Sequence, residues 1–445
     1  MNTQAKPSRW KFVLALLALG ALGAVLIQGA NAGWRNDDLR EDPPSEYPDR
    51  VILTCTSDPS ISQAITWRTD ASVRQAYVEI TPADPSPDFD ENAVEIRAET
   101  VRFETDRRVD HYHSVNLAGL EPGTLYAFRV GGGDRWSEWF QFRTASPGPE
   151  PFSFIYLGDA QNEVLSHWSR AIRAAYADAP DARFMIHAGD LVTDGFCDRL
   201  WGEWFEAGGW IYAMMPSIPT PGNHEYDKDK KGATLTPHWR TQFTLPENGV
   251  EGLKEQCYYV DYQGVRVISL NSNERIEEQA RWLDAVLSNN PNRWTVMTFH
   301  HPIFSSSRGR DNEDLRRSWK PLFDRHRVDL ALQGHDHTYA RGRNLPADGD
   351  AQDPGGGTMY VVSVSGPKMY DLTGDRWMDR AGQDIQLYQV ISVTPDTLRY
   401  RAMTVTGDLY DAFDLVKREG AVNVLIDRAP SEIAERTSPA PATGG

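Results

Sequence analysis

Five short apolar runs end in side chains that can bind a metal or move a proton, and this pattern constrains the chain more than any other feature. The run 152–157 leads into Gly158-Asp159, and 184–187 leads into Ala188-Gly189-Asp190. The run 218–221 leads into Gly222-Asn223-His224-Glu225, and 294–299 into His300-His301. The run 328–332 leads into Gln333-Gly334-His335-Asp336-His337. Helix-period stretches at 163–177, 275–288 and 314–325 alternate with these runs, which predicts an α/β domain. In such sheets ligands gather at the carboxyl ends of strands, so the five termini are expected to converge.

Two carboxylates, one amide oxygen and three imidazoles form a mixed hard and borderline donor set. It suits iron, zinc or manganese better than calcium, which prefers all-oxygen sites. Six protein donors exceed what one open catalytic ion needs. They suit two ions sharing a carboxylate, roughly 3.5–4 Å apart in such centres. Taken singly, a Gly-Asp is usually only a turn and His-His-Pro only a strand end. The His-x-His pair is the most specific element, because alternate residues of an extended segment project to one face. All five elements in this order, each closing a strand, outweigh the structural reading of any one of them.

The rest of the 445-residue chain is organised around that domain. Residues 48–145 carry short β-branched and aromatic runs separated by turn formers, the texture of a β-sandwich. Leu120-Glu121-Pro122-Gly123-Thr124-Leu125-Tyr126 has the layout of a tyrosine corner. Trp67 reads as a core residue, and Ser146-Pro147-Gly148-Pro149-Glu150-Pro151 as a linker. The α/β domain is expected over 151–425, and a disordered tail rich in Pro, Ala, Thr and Ser over 427–445.

The first residues read as an address. Lys6, Arg9 and Lys11 precede an apolar run at 12–27 that ends near Ala30-Asn31-Ala32. This predicts a signal peptide over 1–32, cleaved after Ala32, and a secreted or periplasmic protein. An uncleaved membrane anchor is the alternative, although the run is short against the roughly 20 residues of a full span. Lys and Arg number 46 against 63 Asp and Glu, a formal charge of −17. That excess of acid argues against a general nucleic-acid binder and disfavours anionic lipid surfaces. No stable membrane partner beyond export is expected. Cys55, Cys197 and Cys257 are too few for a disulfide scaffold. Cys197 and Cys257 could pair in an oxidising compartment.

The order Gly-Asp, Gly-Asp, Gly-Asn-His-Glu, His, Gly-His-x-His resembles that of the calcineurin-like metallophosphoesterases. With a fibronectin type III-like domain in front, it is similar to the purple acid phosphatase branch, over roughly residues 48–420. The resemblance implies an αββα sandwich behind an all-β N-terminal domain. It implies Asp159 and His337 on one ion, Asp190 as the bridge, and Asn223, His300 and His335 on the second ion. His224 would face the substrate and assist the leaving group.

Three departures from that branch stand out. The tyrosine that ligates ferric iron three residues after the second Gly-Asp is replaced by Thr193, so no tyrosinate colour is expected. The first motif continues as Asp159-Ala160-Gln161-Asn162. These residues read first as caps of the following helix, and otherwise as neighbours of the first metal, through water. The loop after His300 offers Arg308 and Arg310, either of which could grip a phosphate bidentately or simply be solvated. His187, His167, His238 and His326 read as structural, and His301 as a neighbour of the site.

The function expected is a secreted phosphoesterase with two metal ions (Fe, Zn or Mn). It would hydrolyse small phosphate monoesters by attack of a metal-bound hydroxide with His224 assisting. Alternatives are a phosphodiesterase or nucleotide hydrolase on the same core, and a non-catalytic cell-surface binding protein.

Overall fold

Strands β1 (Asp49–Thr54), β2 (Ser62–Asp70), β3 (Tyr77–Pro82), β4 (Val94–Arg97), β5 (Glu99–Glu104), β6 (Val109–Ala118), β7 (Leu125–Gly132), β8 (Arg135–Trp136) and β9 (Phe140–Arg143) build the N-terminal sandwich in the computed structural model. The structure describes residues 43–227, 234–343, 357–418 and 420–437. The expected signal peptide and its cleavage site lie outside these residues. One sandwich sheet runs β1-β2-β6-β5 and the other β4-β3-β7-β8, with β9 also on β7. Alternate residues Val78 and Ile80, and Tyr126, Phe128 and Val130, point inward onto Ile65 and Trp67, as period-two patterning requires. The Tyr126 hydroxyl accepts the Glu121 N–H at 2.9 Å and closes the corner read from the sequence.

The α/β part follows with β10 (Phe152–Leu157), β11 (Met185–His187) and β12 (Ser217–Pro219), three parallel neighbours. A hairpin of β13 (Tyr226–Asp227) and β14 (Thr234–Leu235) comes next. The second sheet contains β15 (Tyr258–Tyr262), β16 (Val265–Ser269), β17 (Trp294–Phe299), β18 (Leu330–Gln333), β19 (Tyr339–Arg343), β20 (Met359–Val362) and β21 (Arg380–Gly382). The chain then returns to the first sheet with β22 (Leu387–Val393), β23 (Thr397–Thr404), β24 (Leu409–Val416) and β25 (Val424–Asp427).

The two sheets are buried on both faces, which explains the continuous apolar runs. In β18, Leu330 and Leu332 join the core shared with the first sheet, while Ala331 joins the core under the helices. In β20, Met359 and Val361 face the first core and Tyr360 and Val362 the second. Helices Ile276–Ser288 and Glu313–His326 cover the second sheet through Leu283, Leu287, Trp319 and Phe323. Helices Ser169–Asp178 and Asp198–Gly208 cover the first through Ile172 and Trp204. The result is the layered α/β architecture expected.

The sandwich and the α/β layers share one sheet. β12 pairs in parallel with β1 at Ser217 and Thr54, and β1 pairs with β2, so eleven strands run from β25 to β5 without a break. Buried charges reinforce the junction. Arg50 meets Asp198 at 2.7 Å, and Arg68 meets Asp49 at 2.6 Å and Asp110 at 3.3 Å.

The expectation of a disordered tail is corrected over its first part, and the open pairing of Cys197 with Cys257 is answered. The tail is ordered from Asp427 to Thr437, because its backbone finds partners: Arg436 O accepts the Gln383 N–H at 2.8 Å, and the Glu435 carboxylate accepts the Ala381 N–H at 2.6 Å. Residues 438–445 lie outside the described residues. Cys197 and Cys257 do not pair; all three cysteines are free thiols, and Cys55 and Cys257 are buried.

Candidate metal centre

The carboxyl ends of β10, β11 and β12 face those of β17 and β18, and this brings the six sequence-selected donors together. Asp190, His300 and His335 present ligand atoms all within 4.8 Å of one another, and so do Asp159, Asp190 and His337. Asp190 is common to both groups, the arrangement a bridging carboxylate requires. Asn223 joins the first group, its Oδ1 lying 3.2 Å from His300 Nε2. The His335 Nδ1 stands 3.2 Å from the same His300 nitrogen.

The turns that carry these residues are sterically demanding. Asp159, Asp190, His335 and His337 all adopt positive φ, between 44° and 75°. Each such residue costs about 1–3 kcal/mol, and such strain clusters at functional sites. Glycines make room: a Cβ on Gly334 would lie 2.3 Å from Asp159 Oδ2, and one on Gly222 2.2 Å from Asp190 Oδ1. The Gly-Asp and Gly-Asn motifs thus reflect close approach of backbone to ligand side chains.

Neighbouring groups orient the donors. His300 and His337 give their Nδ1–H to the carbonyls of Ala188 and Lys368, both at 2.9 Å, which turns each Nε2 lone pair into the centre. The Asp159 carboxylate accepts the His335 N–H at 2.8 Å, and Asp190 Oδ1 accepts the His224 N–H at 2.8 Å. Burial pushes the Asp159 carboxyl well above the usual carboxylate range. Burial pushes Asp190 the same way, but the His300 imidazole beside it prevails and holds that carboxyl below its ordinary range. Burial favours neutral His300, yet the Asp190 charge raises it to about 9. Two buried carboxylates crowded by three imidazole rings are a poor fit to a purely structural role and a good fit to cations.

His224 lies at the edge, its side chain 15% exposed. Its Nδ1 is 2.5 Å from the Thr193 carbonyl, and its Nε2 is 3.8 Å from Asp190 Oδ2. Arg310 is half-buried at the same rim. Its Nη1 donates to the His335 carbonyl at 2.8 Å and its guanidinium lies 4.7 Å from the centre of the Tyr370 ring. Arg308 is exposed, and its backbone N–H donates to Asp371 O at 3.0 Å. His301 meets Ser272 Oγ at 2.8 Å and packs on His335. His187 sits among Trp168, Trp204 and Tyr212, away from the donors.

Two contributors, Glu225 and Asp336, are not marked by the sequence, and a third, Gln161, is read there first as a cap and only second as a neighbour of the first metal. Glu225 is fully buried and accepts the N–H groups of Asp190, Leu191 and Gly222, locking two ligand-bearing turns. Asp336, inside the His-x-His pair, accepts the N–H groups of Ser306 and Ser307 and so fixes the loop that carries the arginines. Gln161 stands in the centre itself, its Nε2 donating to Asp190 Oδ2 at 2.8 Å and to His337 Nε2 at 3.0 Å. The capping expected of Gln161 and Asn162 is not found. The following helical turn, Val164–Trp168, starts after Glu163 with no side-chain cap, and the Asn162 N–H goes to Thr193 Oγ1 at 3.1 Å.

Fold and donor set are those of a metallophosphoesterase domain behind a β-sandwich. Residues 48–144 match the purple acid phosphatase N-terminal domain, and residues 152–339 match the calcineurin-like phosphoesterase family. The chain is 28% identical over 330 residues to Rv2577 of Mycobacterium tuberculosis, covering 64% of this chain and 60% of that protein. It is 25% identical over 334 residues to human acid phosphatase type 7, covering 67% of this chain and 71% of the relative. The solved purple acid phosphatase PPD1 of yellow lupin superposes with a TM-score of 0.71 at 18% identity, over 84% of this chain and 75% of that one. Residues 152–339 thus form a calcineurin-like phosphoesterase domain, and the domain in front of it is that of the purple acid phosphatases, the pairing that marks the purple acid phosphatase-like branch.

Proposed function

We propose that this protein is an exported, metal-dependent phosphatase that hydrolyses small phosphate monoesters at a two-ion centre. The observation that carries the reading is the shared position of Asp190, whose carboxylate belongs to both donor groups. Asp159 and His337 would complete one position, and Asn223, His300 and His335 the other. When bound, such a pair supplies positive charge to a phosphoryl group and a strong oxygen nucleophile near neutral pH. The ions are iron, zinc or manganese by donor type.

The chain's own residues supply the rest. His224 gives its Nδ1–H to Thr193 O, which fixes the ring and leaves Nε2 as the atom that hands a proton to the leaving oxygen. Arg310, planted on the His335 carbonyl, keeps further N–H donors at the rim for the oxygens of the ester. Burial of the donors excludes bulk water and strengthens these interactions. Export rests on the basic start, the apolar run and Ala30-Asn31-Ala32.

Turnover of p-nitrophenyl phosphate against bis-p-nitrophenyl phosphate, with and without chelator, tests the proposal. Chelator-sensitive turnover of the monoester is expected to dominate. Dominant diester turnover would move the assignment to a phosphodiesterase, and negligible turnover of both after metal loading would favour a binding protein. His224→Ala is expected to lower turnover about 10²–10⁴-fold with metal content intact; a near-normal rate would remove it from the mechanism.

A further inference from the structure

Gln161 is fully buried, and its amide terminus reaches the side of the centre formed by Asp159, Asp190 and His337. Its Nε2 position lies 2.8 Å from Asp190 Oδ2 and 3.0 Å from His337 Nε2. Asp190 and His337 both belong to that donor group, and Nε2 is the His337 nitrogen left free, since its Nδ1–H goes to Lys368 O. Metal bonds to oxygen and nitrogen run about 2.0–2.2 Å, so neighbouring ligands at right angles stand about 2.8–3.1 Å apart. The amide terminus therefore already occupies a third corner beside two ligands of one ion.

The other amide atom points the same way. Gln161 Oε1 is buried without a hydrogen-bond partner, and an orphaned acceptor of this kind costs about 1–3 kcal/mol. An amide keeps its shape when oxygen and nitrogen exchange places, and the choice follows the surrounding polar groups. With a cation between Asp190 and His337, the oxygen is the favoured atom at that corner. A half-turn about Cγ–Cδ brings it there and moves the NH2 to the side where no donor faces the oxygen.

Resting on the two-ion reading above, we infer that Gln161 Oε1 is a ligand of the ion held by Asp159, Asp190 and His337. It is a neutral oxygen donor, placed where Thr193 offers no phenolate. The position thereby carries less negative charge than one completed by a tyrosinate, and it selects a divalent over a trivalent ion.

The test uses the full chain, with metal content per chain, metal affinity by calorimetry and the visible spectrum of the cobalt(II)-loaded protein. The wild type is expected to bind two ions. Outer-shell partners of metal ligands are worth about 10–100-fold in affinity, so Gln161→Leu is expected to weaken one ion by at least tenfold while the other stays. The isosteric Gln161→Glu is expected to keep both ions, to tighten the weakened position and to shift the cobalt spectrum. Two ions of wild-type affinity with an unchanged spectrum in both variants would overturn the inference and leave the two-ion reading intact. If Gln161→Leu does not fold, Gln161→Glu decides alone, unchanged affinity and spectrum counting against the inference. Fewer than two ions on the wild type would overturn both.

Discussion

The backbone N–H of Asp190 donates to the buried carboxylate of Glu225 at 3.0 Å, so the residue common to both donor groups is held by the last residue of Gly-Asn-His-Glu. The same carboxylate takes the Gly222 N–H at 2.7 Å and the Leu191 N–H at 2.9 Å. One side chain thus sets the spacing between the turns that carry Asp190 and Asn223. Glu225→Gln keeps the shape but turns an NH2 toward backbone donors. Metal affinity and turnover are expected to fall about 10–100-fold, read by metal content and kcat; unchanged values would reduce Glu225 to packing.

The two loop arginines are expected to separate. Arg310 is anchored on His335 O and stacked on Tyr370, whereas the Arg308 side chain stands exposed. Arg310→Ala is expected to raise KM for a phosphomonoester about tenfold, the scale of one hydrogen bond to a charged group. Arg308→Ala should leave KM within about twofold, as an exposed charge does. Equal, unchanged values would take both out of the site.

Thr193 stands three residues after Asp190, and its hydroxyl accepts the Asn162 N–H at 3.1 Å. Iron-loaded protein is therefore expected to lack the visible band of a tyrosinate on ferric iron. Tyr370 is a tyrosine whose ring packs against His337, at 4.6 Å between centroids. A visible band that vanishes in Tyr370→Phe would contradict the expectation and identify its source.

Acid is expected to destabilise the fold through buried histidines outside the centre. His113, between Thr69 and Thr100 in the sandwich, is held down to about 4 by burial. Its folded pKa lies below the unfolded value of 6.5, so the unfolded chain takes up the proton first. The stability His113 protects is complete above pH 6.5 and is lost as pH falls from there toward 4. At 1.36 kcal/mol per unit the loss is about 3 kcal/mol. Urea midpoints at pH 7.5 and 4.5 should show it, with a smaller drop in His113→Gln. An equal drop in the variant would assign the acid effect elsewhere.

The strand ends were legible because one physical demand wrote both the apolar run and its ending: a strand buried on both faces that stops where a ligand must approach. The positions of Asp159, Asp190 and His337 follow from that local grammar. The junction of β12 with β1 does not, since it rests on a parallel pairing between Thr54 and Ser217, and neither residue's neighbours signal it. Gln161 offers the sequence two readings, a helix cap first and a neighbour of the first metal second, and the structure favours the second. Next to Asn162 and before a helix it has the look of a cap, and only the approach of β11 and of the His-x-His turn reveals what its amide faces. Glu225 carried a usable signal, a buried acid following directly on two polar ligand types, and its partners are backbone groups that no side-chain pattern records. Whether Cys197 and Cys257 pair is left open by the sequence, because connectivity depends on a spatial approach that no local pattern records; both are free thiols.

Metal analysis of the purified full chain, with Asp190→Ala beside the wild type, tests the central claim most directly. The wild type is expected to hold two ions per chain, removable by chelator together with phosphatase activity, and Asp190→Ala to hold fewer than one. Full activity in the wild type without metal, or two ions retained by Asp190→Ala, would contradict a centre built around that shared carboxylate.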